Sequence, residues 1–510
     1  MFRRATSILV ILLFPVLAGA AVLHVPGQYS TIQAGLDASA VGDTVLVAPG
    51  TYSGTGNDNL NFHGRAVALI GEGGAAQTIL DGSVSNHRLM LLDQGEGPGT
   101  LVQGFTLTGA KVSYYGGAIL CDGSSPTLRE LLFEDNHGYI GYPNDAFGAG
   151  LRVTFGGAPQ VFDCVFRSNE AAAGGAVCIE GGGAPSFENV LFEANYARRG
   201  GAVYGGSNAT FTRCQFVDNV APSAATDDVV DKPGWGGAIY LGAGHSPSFE
   251  ECLFANNLAE HVHTVYGSGP GRGGAVSCSG GGAEFLRCTF HGNGAEPEEG
   301  LYQGGTLDVY GAGAVTLTDC VLAGTTSGYA IHCDVADGIP DANCCLFWDN
   351  WAPQFGGACP DLIGVDGDFE ANPYFCDVDA GDFSVAGLSP CLPANNACGV
   401  QIGAYGEGCT ITDAPAPPAA TALAAPFPNP FNPKVTLAFT LAAPGKVALT
   451  VYDASGRRVA VLLDTELPAG DHHVDWRGQN DAGHEAASGV YFVRMEAPRY
   501  SARQRMVLLR

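Results

Sequence analysis

The feature that most constrains this chain is an internal repeat. Aligned on one Phe, segments beginning at Pro126, Pro159, Pro185, Ala209, Pro247, Ala283 and Pro340 share the template P-x-[FVL]-x-x-[CLV]-x-F-x-x-N. Most copies follow Gly-Gly-Ala and a β-branched residue, as at Gly117, Gly175, Gly201, Gly237 and Gly274, and degenerate copies cover residues 100–110 and 315–325. The shared Phe recurs after 24 residues (Phe192 to Phe216) and 26 (Phe166 to Phe192), and after as many as 38 (Phe216 to Phe254). A unit of about 25 residues without the Leu-x-Leu and Asn pattern of a leucine-rich horseshoe matches one turn of a β-solenoid. Within a unit, Gly-Gly-Ala-Ile/Val starts one strand, Phe or Val sits on a second, and Cys-x-Phe forms a third. Three short strands per turn with Gly at the corners predict a right-handed, three-faced parallel β-helix, so the fold class is all-β.

Equivalent positions in successive coils of such a helix lie ~4.8 Å apart, so repeated residues become columns. Phe133, Phe166, Phe192, Phe216, Phe254, Phe290 and Phe347 are expected to form an internal aromatic stack. Each buried Phe contributes ~2–3 kcal/mol by transfer against ~1 kcal/mol for a satisfied hydrogen bond, so apolar columns dominate coil stability. Asn136, Asn169, Asn195, Asn219, Asn257, Asn293 and Asn350 are expected to line one corner as a ladder of turn-forming amides.

The paired Gly-Gly-Ala-Ile and Phe-x-x-Asn elements resemble the repeats of polymorphic outer membrane proteins. The stretch VPGQYSTIQAGLDASAVGDTVLVAPGTY resembles the N-terminal cap of pectin-lyase-like β-helices. That resemblance implies a short amphipathic helix at Ile32 to Ala38 covering the open end and a first strand at Thr44 to Ala48. An uncovered end would present unpaired strand edges. Members of these families range from lyases to adhesins, so the likeness speaks to architecture over roughly residues 22–409 and hardly to activity.

All 16 cysteines lie between Cys121 and Cys409. Cys164, Cys214, Cys252, Cys288, Cys320 and Cys345 share the column that holds Leu131 and Val190 in sister coils. Interchange with Leu and Val marks the position as inward and apolar, which favours packing thiols over disulfides between coils. No cysteine pair has a partner at zinc-ligand spacing. Cys376, Cys391, Cys398 and Cys409 fall in an irregular Gly/Pro-rich stretch. Four cysteines permit three connectivities, and the expectation is Cys376 with Cys391 and Cys398 with Cys409, fastening the end of the helix. Asp377, Asp379 and Asp382 are spaced like part of a calcium loop without the full twelve-residue pattern, so calcium is the one cofactor to consider and none is expected.

After an Ala/Pro linker, alternating strands return at residues 435–441, 446–452, 458–463, 472–476, 489–496 and 505–509, the pattern of a small immunoglobulin-like sandwich. FPNPFNP, VYDASGRRV, PAGDHHVDW and SGVYFVR resemble the flagellar-hook-cap type immunoglobulin-like domain used as a type IX secretion sorting domain. The resemblance implies that residues 427–510 engage the type IX secretion machinery. Arg3 and Arg4, an apolar run from Ile8 to Leu17 and Ala18-Gly19-Ala20 read as a cleavable secretory signal, too short to span a bilayer. The expected order is a signal peptide (1–20), a cap with the first coils (21–98), the repeats (99–358), the Cys-rich end (359–409), a linker (410–426) and the sorting domain (427–510). The chain is thus expected outside the cell or on the outer-membrane surface, with no transmembrane span.

The balance of 51 acidic against 24 basic residues, a net −27, repels phosphate backbones and argues against a nucleic-acid partner. Coil length varies chiefly at one corner, between the Asn and the following Gly-Gly-Ala. Insertions at residues 137–147, 220–235, 258–272 and 294–303 should therefore share one edge, where repeat proteins build binding surfaces. They hold Tyr139 and Tyr142; Asp227, Asp228, Asp231, Lys232 and Trp235; His261, His263, Tyr266 and Arg272; and Glu296, Glu298, Glu299 and Tyr302. Aromatic faces beside carboxylates suit sugar rings. The edge fits a non-catalytic, adhesin-like module that binds polysaccharide or a surface protein. The rival is a polysaccharide lyase or glycoside hydrolase acting on acidic polysaccharide, which needs a carboxylate pair at ~5–9.5 Å or a basic residue near a calcium-held uronate. No Asp pair repeats on adjacent coils, and the solenoid has only Lys111 and Lys232 as lysines.

Overall fold

Short apolar–polar alternations, broken by Gly or by residues with positive φ, send the chain before residue 410 into strands of two to seven residues, most of which stack coil upon coil. The computed structural model describes residues 19–509 except 86, 113–115, 139–145, 227–228, 265–266, 298–301, 312, 351–353, 410–420, 428, 432–433, 444, 468–469, 481–483 and 499. The secretory signal therefore lies almost wholly outside the described residues. Two units are present, residues up to 409 and residues from 410 onward.

The first unit is a right-handed parallel β-helix. Sheet I has twelve strands, from Val22–Val25 to Asp341–Asn343. Sheet II has twelve, from Gly50–Ser53 to Phe369–Glu370, and sheet III eleven, from Leu60–Asn61 to Phe355–Gly357. A fourth sheet of seven two- to four-residue strands, from Lys111–Val112 to Gly294–Ala295, runs along the corner after the Asn column. The repeat did not announce this sheet, because its strands lie in the variable part of the coil. The helix Ile32–Ala38 forms as expected, with Thr31 capping Ala34 N–H at 3.3 Å and Ile32 and Leu36 buried in the core. The first strand is Val22–Val25, in parallel register with Thr44–Val47, so the expected first strand is the second.

Pairing keeps like residues in register: Phe166, Phe192, Phe216, Phe254 and Phe290 are successive partners in sheet II. Their rings stack at 4.7–5.2 Å and within 12°. Phe133 joins above at 4.2 Å, while Leu322 separates Phe290 from Phe347. A second stack on sheet I, Phe187, Phe211, Phe249 and Phe285, meets the first edge to face at 5.4–6.3 Å. Offset and edge-on geometry suits the ring quadrupole and adds to area burial.

The amides of Asn136, Asn169, Asn195, Asn219 and Asn257 each donate to the next Asn Oδ1 at 2.9–3.0 Å and to a main-chain carbonyl of an adjacent coil at 2.9–3.0 Å. Asn main-chain N–H groups fill the second lone pair, so these buried amides are satisfied. Thr325 interrupts the ladder, and Asn350 resumes it by accepting from Thr325 Oγ1 at 2.8 Å. The corner is turned by a residue at φ near +50° just before each Asn, such as Asp135, Ser168 and Asp218. At Gly174, Gly200, Gly236 and Gly273 the first Gly of Gly-Gly-Ala supplies positive φ, and the second has no room for a Cβ against the next coil's carbonyl, as at Gly201 against Gly237 O.

The six column cysteines are buried free thiols. Five of them donate to a carbonyl of the preceding coil at 3.4–3.5 Å: Cys214 to Phe187, Cys252 to Phe211, Cys288 to Phe249, Cys320 to Phe285 and Cys345 to Leu317. Burial pushes the Cys164 thiol up to about 12.

The disulfide expectation is corrected. Cys376 pairs with Cys409, Cys398 with Cys344 and Cys333 with Cys359, while Cys391 is a buried free thiol. The reason is that residues 375–409 double back along the outer side of sheet II. There Val385, Cys391 and Ile402 pack on Val321, Ala323 and Leu346, and Phe383 packs on Leu253 and Ala255. Asp377 Oδ1 caps a turn at Ala380 N–H, and Asp382 Oδ1 accepts from Ser384 N–H. Among the described residues no three His, Cys, Asp or Glu side chains converge as a metal site.

The second unit is an antiparallel sandwich. Ala422–Leu423, Val435–Leu441 and Gly470–Trp476 form one sheet, and Arg458–Leu467, Gly445–Asp453, Gly489–Ala497 and Tyr500–Leu508 the other. Ala422 and Leu423, read from sequence as linker, pair with Thr440 and Phe439. The core joins Leu437, Phe439 and Trp476 to Leu449, Val493 and Met506.

Phe216→Ala is expected to cost about 3–5 kcal/mol, read as faster amide exchange in its own coil and its two neighbours, with distant coils unchanged. Ellman's reagent should find no reactive thiol in the native protein and ten per chain after denaturation; rapid native labelling would contradict the buried column.

Candidate functional site

Strand alternation in sheet III sends Ile119, Leu151, Val177, Val203, Ile239, Val276, Leu307 and Ile331 into the core. The residues after them therefore point outward: Leu120, Arg152, Cys178, Tyr204, Tyr240, Ser277, Asp308 and His332, each opposite the next along the sheet. An outward column on a β-helix should be wet, yet Asp308 is 0% exposed, Ser277 1% and Tyr240 7%.

The cover comes from the corner where coil length varies. Arg199, Trp235 and Arg272 are paired in parallel there. Two antiparallel hairpins, Ala224–Thr226 with Val229–Lys232 and Val262–Thr264 with Gly267–Gly269, leave the solenoid just before Trp235 and Arg272. The insertions are neighbours: Gly234 N–H donates to Glu260 O at 2.9 Å, and Gly271 N–H to Glu296 O at 3.0 Å.

Three arginines lie over aromatic rings: Arg152 over Phe147 at 5.4 Å, Arg199 over Tyr204 at 5.1 Å and Arg272 over Tyr310 at 4.8 Å. Tyr240 stacks on Tyr204 at 5.6 Å and on Trp235 at 5.7 Å. Arg152 bridges to Glu180 at 3.1 Å. Asp308 takes His332 Nδ1 at 2.8 Å and Arg272 Nη1 at 3.5 Å, with His332 stacked on Tyr329 at 5.8 Å. Burial raises the Tyr204 phenol. From Arg152 to His332 the band crosses six coil rises, roughly 29 Å. Of the twelve Lys and Arg between residues 21 and 409, Arg152, Arg198, Arg199 and Arg272 gather here.

Of the residues expected from sequence, Trp235 and Arg272 stand in this band, and Tyr302, an exposed side chain, has its ring 6.4 Å from Tyr329. His261 Nδ1 meets Glu296 at 3.1 Å beside it. Tyr139, Tyr142, Asp227, Asp228, Tyr266, Glu298 and Glu299 lie outside the described residues. Asp231, Lys232 and His263 are described by their backbone strands alone. Sequence reasoning missed Arg152, Glu180, Arg199, Tyr204, Tyr240, Asp308, Tyr310 and His332. The signal was available in Gly-Gly-Ala-Val-Tyr and Gly-Gly-Ala-Ile-Tyr, where the residue after the inward Val or Ile faces out and is Tyr in adjacent coils.

Residues 117–338 match the family described as right handed beta helix region, and residues 432–500 match the FlgD Ig-like domain. No curated protein sequence matches the chain. Among solved structures, it is similar to dimeric latent PorU from Porphyromonas gingivalis at 17% identity, over 20% of this chain and 10% of that one, with a TM-score of 0.16. It is similar to a mannuronic acid specific polysaccharide family 6 lyase from human gut microbiota at 11% identity, over 66% of this chain and 87% of that one, with a TM-score of 0.31. The PL6 alginate lyase AlyGC matches at 12% identity, over 76% of this chain and 59% of that one, with a TM-score of 0.37. The chain thus spans a tenth of the PorU chain and under two thirds of AlyGC.

Asp308→Ala is expected to lower stability by about 3–5 kcal/mol, because it leaves the Arg272 guanidinium and His332 Nδ1 without the buried carboxylate that both contact. Thermal unfolding of the solenoid checks this; an unchanged midpoint would mean that the triad is solvated.

Proposed function

We propose that this protein is exported and holds a polysaccharide along the outer face of sheet III without cleaving it. The observation that carries the reading is the band itself. Aromatic faces, guanidinium groups and carboxylates alternate over the length of several sugars on a face that strand alternation alone would leave to solvent. Stacking on Trp235, Tyr302, Tyr310 and Tyr329 supplies area, and the polar groups between them orient hydroxyls. Tyr302 and Tyr310 are exposed, at 37% and 45%.

A lyase or hydrolase acting on acidic polysaccharide is the competing reading, and Asp308 with His332 is the pair it would draw on. Asp308 is wholly buried, and it is held by both His332 and Arg272. A carboxylate with no exposed surface is out of reach of a substrate proton, which supports holding over cutting. Three disulfides fit an oxidising compartment, and no helix among the described residues is long and apolar enough to cross a membrane. The FlgD Ig-like domain and the basic–apolar–small N-terminus support export by type IX secretion, with the second unit as the part the machinery engages.

Affinity electrophoresis of residues 21–510 in gels containing pectin, alginate or neutral glycans, run beside an assay for unsaturated products and new reducing ends, tests the reading. Retention without cleavage is expected, with Tyr310→Ala weakening it roughly two- to tenfold. Release of product would replace the binding reading with the enzymatic one, and migration indifferent to every glycan would remove both.

A further inference from the structure

In the first coils, the corner between sheets II and III holds a cleft of about 560 Å³. Its lining includes Gln33 and Asp37 from the capping helix, Asp58 and His87 from two successive corners, and Asn61 and His63 from the start of sheet III and the turn after it. The helix is fastened to the first of those corners, with Ile32 N–H donating to Asn57 Oδ1 at 3.1 Å and Gln33 N–H to Gly56 O at 2.9 Å. Asp37 Oδ1 takes Gln33 Nε2 at 2.8 Å and His63 Nε2 at 3.0 Å, while its other oxygen accepts no hydrogen bond. Asp58 is more unusual. Its side chain is 9% exposed, yet no hydrogen bond reaches either oxygen, and its ion-pair partner, His87 Nδ1, stands at 3.8 Å, beyond hydrogen-bond reach. An imidazole also lends charge only when it is protonated. The oxygens are not sealed in, so their unmet lone pairs open on the cleft. A carboxylate so far removed from water is nearly always paired and hydrogen-bonded, so Asp58 points to an absent donor.

We infer that this cleft is an ammonium subsite, taking the amino group of an unacetylated amino sugar. The described lining residues bring two carboxylates and no Lys or Arg, and the residues of these coils outside the described set, Asn86, Ser113, Tyr114 and Tyr115, bring no cation either. A sugar hydroxyl could donate to Asp58 but would leave its charge uncompensated, and a uronate would be repelled by both carboxylates. A primary ammonium compensates the charge and brings three donors to lone pairs that have none. Placement favours a sugar as the carrier. Asn61 begins the outward column of sheet III, paired with Leu91, which pairs with Leu120 and it with Arg152, so the cleft lies three coil rises, roughly 14 Å, from the near end of the band. For that carrier the inference rests on the polysaccharide reading, and it adds that the polymer bears a free amino group close to the part lying on the band.

The test titrates residues 21–510 with the trimer of glucosamine, its fully N-acetylated form, trilysine and methylammonium chloride, all at constant ionic strength, reading binding heat and the thermal midpoint. The glucosamine trimer should bind and raise the midpoint, and methylammonium should compete with it. Acetylation, which removes the charge, should weaken binding at least about tenfold. Asp58→Asn should weaken it by a similar factor while raising the midpoint of the unliganded protein, because an unmet, mostly buried carboxylate is gone. A lower unliganded midpoint would instead mark Asp58 as structural and overturn the subsite. Equal affinity for the two trimers also overturns it and leaves the polysaccharide reading standing, as does trimer binding indifferent to Asp58→Asn. Binding of trilysine without the glucosamine trimer overturns the assignment to a sugar. Trimer binding that depends on Asp58, with no polysaccharide retained in the gel, keeps the subsite and removes the polysaccharide reading of the band.

Discussion

Every other feature of the solenoid depends on parallel hydrogen bonding between coils at fixed register. A single coil cannot close its own apolar face, so its Phe becomes buried only when the next coil sets an apolar side chain, Phe or Leu, upon it. Register then turns composition into columns: Phe216 meets Phe192 and Phe254 because Gln215 meets Leu191 and Leu253. The Asn column works under the same constraint. Each amide gives one donor and one lone pair to the identical amides of its neighbouring coils and the others to the main chain, which makes Asn195 between Asn169 and Asn219 a costly place for any other polar residue. Thr325 fits because its hydroxyl reaches Asn350 instead.

The same constraint decides where the chain can vary. Extra residues within sheets I or II would slip a Phe out of its stack and turn alternate side chains to the wrong face. Between the Asn and the next Gly-Gly-Ala an insertion can leave and return without disturbing any column, provided that the paired glycines restore the close approach of coils. Insertions therefore collect at one edge, and the residues that bring them back, Trp235 and Arg272, fall on the flank of sheet III. Burial of Tyr240, Ser277 and Asp308 on an outer face follows from that geometry.

How much of this was legible in sequence follows from what repeats. Phe192, Asn195 and Gly201 were readable because each recurs once per coil. The inward Cys column was readable from its exchange with Leu131 and Val190. Tyr204 and Asp308 were harder, since an outward position carries a different residue in each coil and no column announces itself. The pairing of Cys398 with Cys344 was out of reach, because it depends on residues 375–409 turning back over sheet II, a contact between segments of unlike pattern. Val22–Val25 was lost for a related reason: its partners lie across the helix that caps the end.

Charge gives the band its meaning. A chain carrying −27 repels an anionic polymer over most of its surface, and among the described side chains Arg152, Arg198, Arg199 and Arg272 stand at this edge. Small as it is, that group stands where aromatic rings and low-dielectric walls strengthen it, with three guanidinium groups held on ring faces. If the band holds an anionic polymer, repulsion by the acidic remainder leaves that polymer one favourable approach. On an evenly neutral solenoid the same arginines would give affinity with little preference for where along the surface the polymer lies.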